Sequence, residues 1–504
     1  MFLKLNCAAV HGLECLPVEV EIDINKGQTA FNIVGLPDTS IQEAKERIHS
    51  ALKNCGFKYP FNFRITINLA PADIRKVGPL YDLPMSVGLV ILSDKLEIDL
   101  SSSILVGELA LDGRVRHVDG ILPIALFAKQ KGIKNLYLPT SDAEEAGLVD
   151  DINIYPVENL TQIIRHLKGE EKIEPFTPVK EDPENEKIYE LDMAYVKGQE
   201  FAKRALEIAA AGNHNILMSG PPGSGKTMLA KAFPSILPPL TKEESLEITK
   251  IFSVAGLLQN PVVKTRPFRS PHHTISNVAL VGGGRIPRPG EISLAHRGIL
   301  FLDEFPEFPR QVLEVLRQPL EDGVVTISRA QGTLTFPAQF TLIGSLNPCP
   351  CGYLGDPKKE CSCTQSQILN YRKKISGPLL DRIDLHVEVP RIGFEKLSDE
   401  RPSESSKEIG QRVARARNRQ NQRFTGRPIF TNSEMGNKEI KEFCQLDKDC
   451  LNLLKNALIQ LNLSARSYNR IIKIARTIAD LAGHRHITPE HIAEALQFRA
   501  KLNA

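Results

Sequence analysis

The sequence has little net charge and no long apolar run. Its 63 lysines and arginines face 60 aspartates and glutamates, so the 504 residues carry a formal net charge of only +3. Bulk charge therefore predicts neither a nucleic-acid binder nor an acidic partner, and any basic site must be local. No apolar run approaches the roughly 18 residues that a membrane span needs, and Asn6, His11 and Glu14 interrupt the apolar N-terminus. We expect a cytoplasmic protein without a membrane segment.

An export signal is also missing, and this affects how the nine cysteines are interpreted. An odd number of cysteines in a long chain of this kind favours free thiols or metal ligands over disulfide bonds. The chain is long enough for about three domains with large cores.

One stretch dictates a specific chemistry: residues 217–227, LMSGPPGSGKT. Its spacing matches G-x-x-x-x-G-K-[ST], a loop in which backbone N–H groups surround a polyphosphate, Lys226 reaches the outer phosphates and Thr227 ligates Mg²⁺. A strand over residues 215–218 and a helix over residues 228–233 supply the flanks that a chance match in a glycine-rich turn would lack. We predict nucleotide and Mg²⁺ binding, with contacts from Gly220, Pro221, Pro222, Gly223, Ser224, Gly225, Lys226, Thr227 and Met228.

Two further apolar runs end in polar residues that suit hydrolysis. Residues 299–302, ILFL, read as a fully buried parallel strand that delivers Asp303 and Glu304 at its carboxyl end, where α/β sheets bind ligands. Asp303 would hold Mg²⁺ and Glu304 would polarise the attacking water; the alternative is a buried strand that ends in a solvated acidic turn. Residues 339–346 predict another buried strand, and Asn347 at its tip can position water beside the γ-phosphate.

Residues 1–168 predict an α/β domain without a phosphate-binding loop. Alternating strands are expected over residues 18–22, 31–34 and 64–69, with a helix between the last two that has apolar positions at helical spacing. Residues 169–190 are acidic, contain three prolines and have no period, which is typical of a linker.

Within the first domain, residues 67–92 and 107–139 resemble the proteolytic domain of Lon-type proteases. That family has its nucleophilic serine after a Gly-Pro and its lysine after a Gly-Leu, where this chain has Leu80 and Leu122. A Ser–Lys dyad cannot form from leucines. Ser86 remains as a candidate nucleophile, but it has no evident base, and a core or solvated serine is favoured. We predict a non-catalytic scaffold or a module that binds a protein partner.

The predicted nucleotide domain, residues 191–395, contains an insertion, because 76 residues separate Thr227 from Asp303. Within it, three glycines at residues 282–284 precede Arg285 and Arg288, which predicts a basic loop that contacts phosphates. The neighbouring pair His272 and His273 suits a hydrogen-bonded structural pair better than a metal site, because adjacent residues rarely chelate together.

Four cysteines between residues 349 and 363 form the pattern CPC-x9-CSC. Four thiols in this spacing can close a tetrahedral Zn²⁺ site, although C-x-C is tighter than the usual C-x₂₋₄-C. Plain thiols and a redox pair are the alternatives. The residues concerned are Cys349, Cys351, Cys361 and Cys363.

The last domain, residues 396–504, is predicted to be helical. Ser405 and Glu408 form a capping box at the start of a helix with a basic stripe on one face, which is either a solvated charged face or a surface that follows phosphates. Helical spacing continues over residues 438–460 and 464–482, and Thr488 and Pro489 start the last helix. The stripe consists of Arg412, Arg415, Arg419 and Arg423.

Seven motifs together resemble the magnesium-chelatase-like AAA+ ATPases of the ComM/YifB type, over essentially the whole chain. They are GPPGSGKT, RPFRSPHHTIS, RPGEISLAH, GILFLDEF, NPCPCG, SGPLLDRIDLHVEV and SARSYNRIIKIARTIADL. The resemblance implies an α/β P-loop core with ATP and Mg²⁺ as cofactors, a helical lid, and a Lon-like domain in front. It also implies Asn347 as the first sensor, Arg382 as an arginine finger that reaches a neighbouring subunit, and Arg466 as the second sensor.

An arginine used in a neighbour implies a homo-oligomeric ring, by resemblance a hexamer, with the inserted loop facing its pore. The resemblance implies DNA branch migration in recombination during natural transformation, as a helicase-type activity. The alternative is an ATPase that remodels a protein or drives a chelatase partner, and the shared ATPase motifs do not separate the two. A Lon-like peptidase is a third hypothesis, and Leu80 and Leu122 disfavour it.

Overall fold

The computed structural model describes residues 1–178, 189, 191–284, 287–329, 332–393, 403–460 and 465–499. The chain divides into two compact units, the first formed by residues 1–185 and 242–264 and the second by residues 186–241 and 265–504. Among the described helices, none combines the length and the apolar character that a membrane crossing requires.

The first 178 residues form nine strands and five helices. They are β1 Phe2–His11, β2 Glu14–Lys26, β3 Ala30–Val34, α1 Thr39–Asn54, β4 Phe63–Ala70, α2 Asp82–Ser93, β5 Ser103–Leu105, β6 Glu108–Leu109, β7 Val115–Arg116, α3 Ile121–Gln130, β8 Asn135–Pro139, α4 Ala143–Ala146, β9 Asn153–Val157 and α5 Leu160–Leu167.

Seven of these strands form one mixed sheet in the order β3-β4-β2-β1-β5-β8-β9. β1 pairs antiparallel with β2, and β2 with β4, whereas β5, β8 and β9 continue from β1 in parallel. The alternating strand predicted at residues 18–22 lies inside β2, and Val18, Val20 and Ile22 are buried. The predicted helix is α1: Asp38 caps it by accepting from the Ile41 amide at 2.9 Å, and its apolar positions face the core.

The positions of a Lon-type dyad lie in the apolar interior of this unit. Leu80 and Leu122 are 6% and 0% exposed. Ser86 lies on α2 and is fully buried, and its hydroxyl has no hydrogen-bond partner among the described residues. These side chains pack the core, as expected if the domain is a scaffold.

The chain beyond residue 189 forms nine more strands and fourteen more described helices. They are α6 Glu200–Gly212, β10 Ile216–Ser219, α7 Lys226–Ala232, α8 Lys242–Ala255, β11 Phe268–Arg269, α9 Asn277–Val281, β12 Gly282–Gly283, β13 Arg288–Pro289, α10 Glu291–Leu294, β14 Ile299–Leu302, α11 Arg310–Glu314, α12 Arg317–Asp322, β15 Val324–Arg329, β16 Gly332–Pro337, β17 Thr341–Leu346, α13 Gln365–Arg372, α14 Gly377–Leu380, β18 Leu385–Glu388, α15 Ser406–Arg423, α16 Asn437–Phe443, α17 Lys448–Gln460, α18 Ala465–Ala482 and α19 Pro489–Gln497.

The helix α8 belongs to the first unit, although its sequence lies inside the predicted nucleotide domain. Its Leu246 packs against the apolar core of that unit, and Gly256 after it approaches Asp119 so closely that a Cβ would lie 2.8 Å from the carboxylate. This division differs from the predicted domain boundaries, because α8 packs against the apolar core of the first unit, which is distant from it in sequence. Most of the predicted linker lies outside the described residues.

Five parallel strands form the central sheet of the second unit in the order β11-β14-β17-β10-β18. All four residues of β14, the ILFL run, are buried, as the continuous apolar pattern predicts. Because every strand runs in the same direction, their carboxyl ends meet at one edge, here called the carboxyl edge, and their amino ends meet at the opposite one, the amino edge.

The helices after residue 405 share one apolar core with this sheet. The capping box of Ser405 and Glu408 at the start of α15 is present. The helix predicted over residues 438–460 is two helices, α16 and α17, because Asp447 accepts from the Cys450 amide at 2.7 Å and starts a new helix there.

Candidate active site

The phosphate-binding loop connects β10 to α7 at the carboxyl edge. Gly223 and Gly225 adopt φ of 74° and 93°, which L side chains rarely adopt. A Cβ on Gly220 would lie 2.1 Å from the Val389 carbonyl oxygen, so only glycine permits this approach to the chain after β18. Two of the motif glycines thus serve the turn, and one serves close packing.

Lys226 stands at the first position of α7, with 8% of its surface exposed. Its Nζ donates to the Gly220 and Pro221 carbonyls at 2.7 and 3.0 Å and to Asn347 Oδ1 at 3.4 Å. Burial lowers the pKa of Lys226, and the charges of Asp303 and Glu304 oppose that shift. The ammonium is therefore directed into the loop, where a polyphosphate would lie.

Two oxygen ligands suited to Mg²⁺ lie side by side. The Thr227 hydroxyl donates to Asp303 Oδ2 at 3.0 Å, so the two groups can share a cation. Asp303 Oδ1 in turn accepts from the Ser345 hydroxyl and from the Glu304 amide. These bonds fix the carboxylate at the end of β14, which is how groups outside the ligand set orient a metal ligand.

Glu304 follows Asp303 with a left-handed backbone, φ 52° and ψ 47°, and its side chain is 58% exposed. Such a conformation is uncommon for a residue other than glycine and often marks functional sites. Its carboxylate lies 3.8 Å from His273 Nδ1. The carboxylate faces solvent at the same edge as the phosphate-binding loop, which is compatible with the role predicted for it.

Three residues at this edge were not predicted for the site. Ser345 is a polar residue near the end of the mostly apolar β17, two residues before Asn347, and that position was a usable signal. His273 faces Glu304, whereas the sequence favoured a purely structural histidine pair; its ring does lie 4.1 Å from that of His272. Gln199, 3% exposed, donates to the Ser224 and Pro390 carbonyls at 3.2 and 2.7 Å and braces the loop, and no motif marks it.

Arg382 lies at the amino edge. It precedes β18, and the Asn215 side chain, just before β10, donates to its carbonyl at 3.3 Å. Its guanidinium pairs with Glu321 and donates to the Pro378 carbonyl at 2.8 Å. A cavity of about 380 Å³ there is also lined by Asp384, Arg470 and Lys473. The structure therefore separates Arg382 from the phosphate-binding loop of its own chain. Arg466 begins α18, but its side chain lies outside the described residues.

The predicted basic loop is a β-hairpin, in which Gly282 pairs with Pro289 and Gly283 with Arg288. Arg288 is exposed on this hairpin. Arg285 lies outside the part of the chain that the structure describes.

The arginine stripe on α15 is engaged mostly inside the chain. Arg412 pairs with Glu207 at 2.5 Å and also with Glu404. Arg419 donates to the Asp480 carbonyl, and Arg423 pairs at 2.5 Å with the buried Asp480 carboxylate. Breaking a buried pair by removing one partner costs about 3–5 kcal/mol. Arg423 is therefore a stability residue, and Arg415 is the exposed member of the stripe.

The four predicted metal ligands do converge. The Sγ atoms of Cys349, Cys351, Cys361 and Cys363 all lie within 4.8 Å of one another. Asn347 and this cluster follow the same strand, β17.

Three family models match successive parts of the chain. The model described as magnesium chelatase, subunit ChlI, matches residues 192–397, that of subunit ChlI of Mg-chelatase matches residues 20–142, and that of the ChlI C-terminal part matches residues 403–499. Together they match residues in both units.

Curated relatives extend over nearly the full length. Competence protein ComM of Haemophilus influenzae is 45% identical over 97% of this chain and 96% of its own, and the uncharacterized protein YifB of Escherichia coli is 42% identical over 98% and 96%. The magnesium-chelatase 67 kDa subunit of Heliobacterium mobile is 25% identical over 42% of this chain and 36% of its own.

Proposed function

Since this chain belongs to the ComM/YifB family of magnesium-chelatase-like AAA+ ATPases, we propose that it is a ring-forming motor that hydrolyses ATP to move DNA strands. Its task would be branch migration during recombination in natural transformation. The observation on which the proposal depends most is the arrangement of Lys226, Thr227, Asp303 and Glu304 at one sheet edge.

Each of these groups has a distinct part in phosphoryl transfer to water. Lys226 and the backbone amides of the loop bind the outer phosphates, and Thr227 with Asp303 would hold the Mg²⁺ that neutralises them. Glu304 orients and polarises the attacking water, and Asn347, bonded to Lys226, positions water and phosphate together. The bond broken is the one between the γ-phosphorus and the bridging oxygen, and ADP leaves.

Hydrolysis also needs an arginine that stabilises charge on the transferring phosphoryl group. The family resemblance assigns that part to Arg382, which lies at the amino edge, away from its own phosphate-binding loop. A neighbouring copy that presents its amino edge to this carboxyl edge would supply it, and repetition of such a head-to-tail contact closes a ring. In that contact Arg382 would exchange Glu321 for phosphate.

The hairpin formed by β12 and β13 is the proposed DNA contact. It extends from the insertion that follows the phosphate-binding loop, and Arg288 is exposed on it. Phosphate neutralisation by such residues gives affinity that falls with salt. A relative that is 45% identical over 97% of this chain is named a competence protein, which also favours DNA as the substrate.

A second candidate is an ATPase that remodels a protein partner. Similarity to a magnesium-chelatase subunit over 42% of this chain favours it. The partner would then engage the first unit, for which we propose a protein-binding role because its Lon-type catalytic positions are apolar and buried.

Steady-state ATP hydrolysis with single-stranded, duplex and branched DNA over a salt series tests the two candidates. We expect DNA to raise the rate, salt to suppress the rise, and Arg288→Ala to lose stimulation while it keeps basal turnover. Lys455→Ala, which removes an exposed charge from α17, is the matched control and should behave as wild type. Basal activity that depends on Glu304 but ignores every DNA at low salt would exclude the DNA motor and favour the protein partner.

A further inference from the structure

The loop between β17 and α13 has no regular structure and almost no core of its own. It extends from residue 347 to residue 364, and within it only Cys349 and Gly352 are buried. A segment of this length cannot be ordered by hydrophobic burial when a single buried apolar side chain, Cys349, is available. Another interaction must offset the conformational entropy that this loop loses.

The sulfur atoms of the loop provide that interaction. Cys349 Sγ lies 3.3 Å from Cys351 Sγ and 3.6 Å from Cys361 Sγ, and Cys351 Sγ lies 3.6 Å from Cys361 Sγ. The Cys351 amide donates to Cys363 Sγ at 3.4 Å. A disulfide would need about 2.05 Å, whereas four sulfurs at about 2.3 Å from one tetrahedral Zn²⁺ lie about 3.8 Å apart. The observed spacing fits a shared metal.

We propose that Cys349, Cys351, Cys361 and Cys363 bind one structural Zn²⁺, and that this metal clamps the loop onto the nucleotide site. Four thiolates complete a tetrahedral shell and leave no open position for substrate, so the role is structural. The soft donor set favours zinc over Mg²⁺.

The clamped loop contacts the nucleotide site at two points. A Cβ on Gly352 would lie 2.6 Å from Pro222 Cδ, so the backbone between the cysteine pairs packs directly on the phosphate-binding loop. Asn347 begins the same loop, and its Oδ1 accepts from Lys226.

A third contact holds the far side of the loop. The Arg391 guanidinium lies 3.5 Å from Asp356 Oδ2 and over the Tyr353 ring. Since Arg391 follows β18, the loop is tied to two strand ends of the sheet.

The effect of the metal on nucleotide affinity rests on the proposed function, whereas zinc binding itself does not. Loss of the metal would release Gly352 from Pro222 and displace Asn347. A displacement of about 1 Å in such a site can lower the rate by up to about 100-fold. Because Asn347 also bonds to Lys226, we expect nucleotide affinity to fall by about tenfold, the equivalent of one lost hydrogen bond.

Metal content tests the site without reference to activity. We expect full-length protein, purified without chelator, to contain one equivalent of zinc by mass spectrometry, and a mercurial thiol reagent to release it. Replacement by Co²⁺ should give thiolate charge-transfer and tetrahedral d–d bands. The double variant Cys351→Ser/Cys361→Ser should lose the metal, and Cys55→Ser, a half-buried thiol of the first unit, should retain it. Wild-type protein that contains no zinc after exposure to it, or zinc that persists in the double variant, would overturn the site.

Binding of a fluorescent ATP analogue, measured before and after metal removal from wild-type protein, tests the clamp. Tenfold weaker binding that zinc restores supports it, and unchanged affinity with the metal removed contradicts it. Absence of nucleotide binding in the zinc-loaded protein would instead contradict the proposed ATPase, so the two failures are distinguishable.

Discussion

The two edges of the central sheet differ in how many of the predicted site residues they bring together. At the carboxyl edge, Lys226 bonds to Asn347 and Thr227 bonds to Asp303, whose other oxygen accepts from the Glu304 amide. At the amino edge, Arg382 lines an open cavity and is held by Glu321. The predicted nucleotide ligands thus lie at one edge, and the predicted arginine finger lies at the other.

Under the proposed function, one chain contributes to two sites, because its carboxyl edge binds one nucleotide and its amino edge supplies Arg382 to the site of a neighbour. Parallel strands place loop-borne ligands at their carboxyl ends, so a residue before β18 cannot reach the loop after β10 in the same chain. If the edges of neighbouring copies meet, each change below should affect either binding or turnover according to the edge on which it falls.

The largest effect is expected from Lys226→Ala at the carboxyl edge. Loss of charge-assisted hydrogen bonds worth about 1.5–3 kcal/mol each should weaken nucleotide binding by about 100-fold and abolish hydrolysis. Calorimetric titration with ATP and Mg²⁺ measures the first effect, and phosphate release measures the second. Lys231→Ala, on the same helix, is the control, and equal losses in both variants would contradict the assignment.

Arg382→Ala at the amino edge should reduce turnover by about 10³-fold, because arginine fingers contribute about that much to hydrolysis. The affinity for ATP should change little, because Arg382 lies away from the phosphate-binding loop of its own chain. Arg382→Lys should recover only part of the rate, because lysine lacks the planar fork. If the Arg382→Ala variant binds ATP more weakly but turns over normally at saturating ATP, then binding and turnover are not divided between the two edges.

A smaller effect is expected from His273→Ala, which removes the neighbour of Glu304 at 3.8 Å. Without the imidazole the Glu304 carboxylate is less well oriented, so kcat should fall by about tenfold and KM should stay unaltered. His272→Ala is the matched control, because His272 bonds to Thr274 and not to Glu304. Identical kinetics for the two variants would show that His273 does not contribute to catalysis at the carboxyl edge.

The smallest effect at neutral pH concerns stability at the amino edge. Burial and the charge of Arg499 lower the pKa of His386, on β18, from 6.5 to about 4. A folded-state pKa below the unfolded one costs nothing above pH 6.5 and destabilises the fold increasingly as pH falls from 6.5 to 4. The Tm of His386→Gln should therefore rise relative to wild type over that interval in thermal scans. A difference that is independent of pH would exclude this linkage.

Residues within a contiguous motif could be predicted from the sequence because the chemistry fixes their spacing. The phosphate-binding loop, the buried strand before Asp303 and the capping box at Ser405 were recognisable from local pattern alone. The fold class followed from the same apolar runs.

Residues that act across the sequence could not be predicted in the same way. Gln199 reaches the site through tertiary packing, and no local spacing marks that function, whereas the position of Ser345 two residues before Asn347 was a usable signal. The assignment of α8 to the first unit depends on a distant apolar core. The arginine stripe reads as a free surface because its acidic partners, Glu207 and Asp480, lie elsewhere in the sequence.

The most direct test of the divided site is a mixing experiment with Glu304→Gln and Arg382→Ala. Each variant alone should be inactive, one lacking the water-polarising carboxylate and the other the arginine. In a mixed assembly, the carboxyl edge of an Arg382→Ala subunit meets the intact arginine of a Glu304→Gln neighbour. Mixing should therefore restore a substantial part of wild-type ATP hydrolysis, with a maximum near equal proportions. If the mixture stays as inactive as its components although the subunits exchange, Arg382 does not complete the site of a neighbour and the account is wrong.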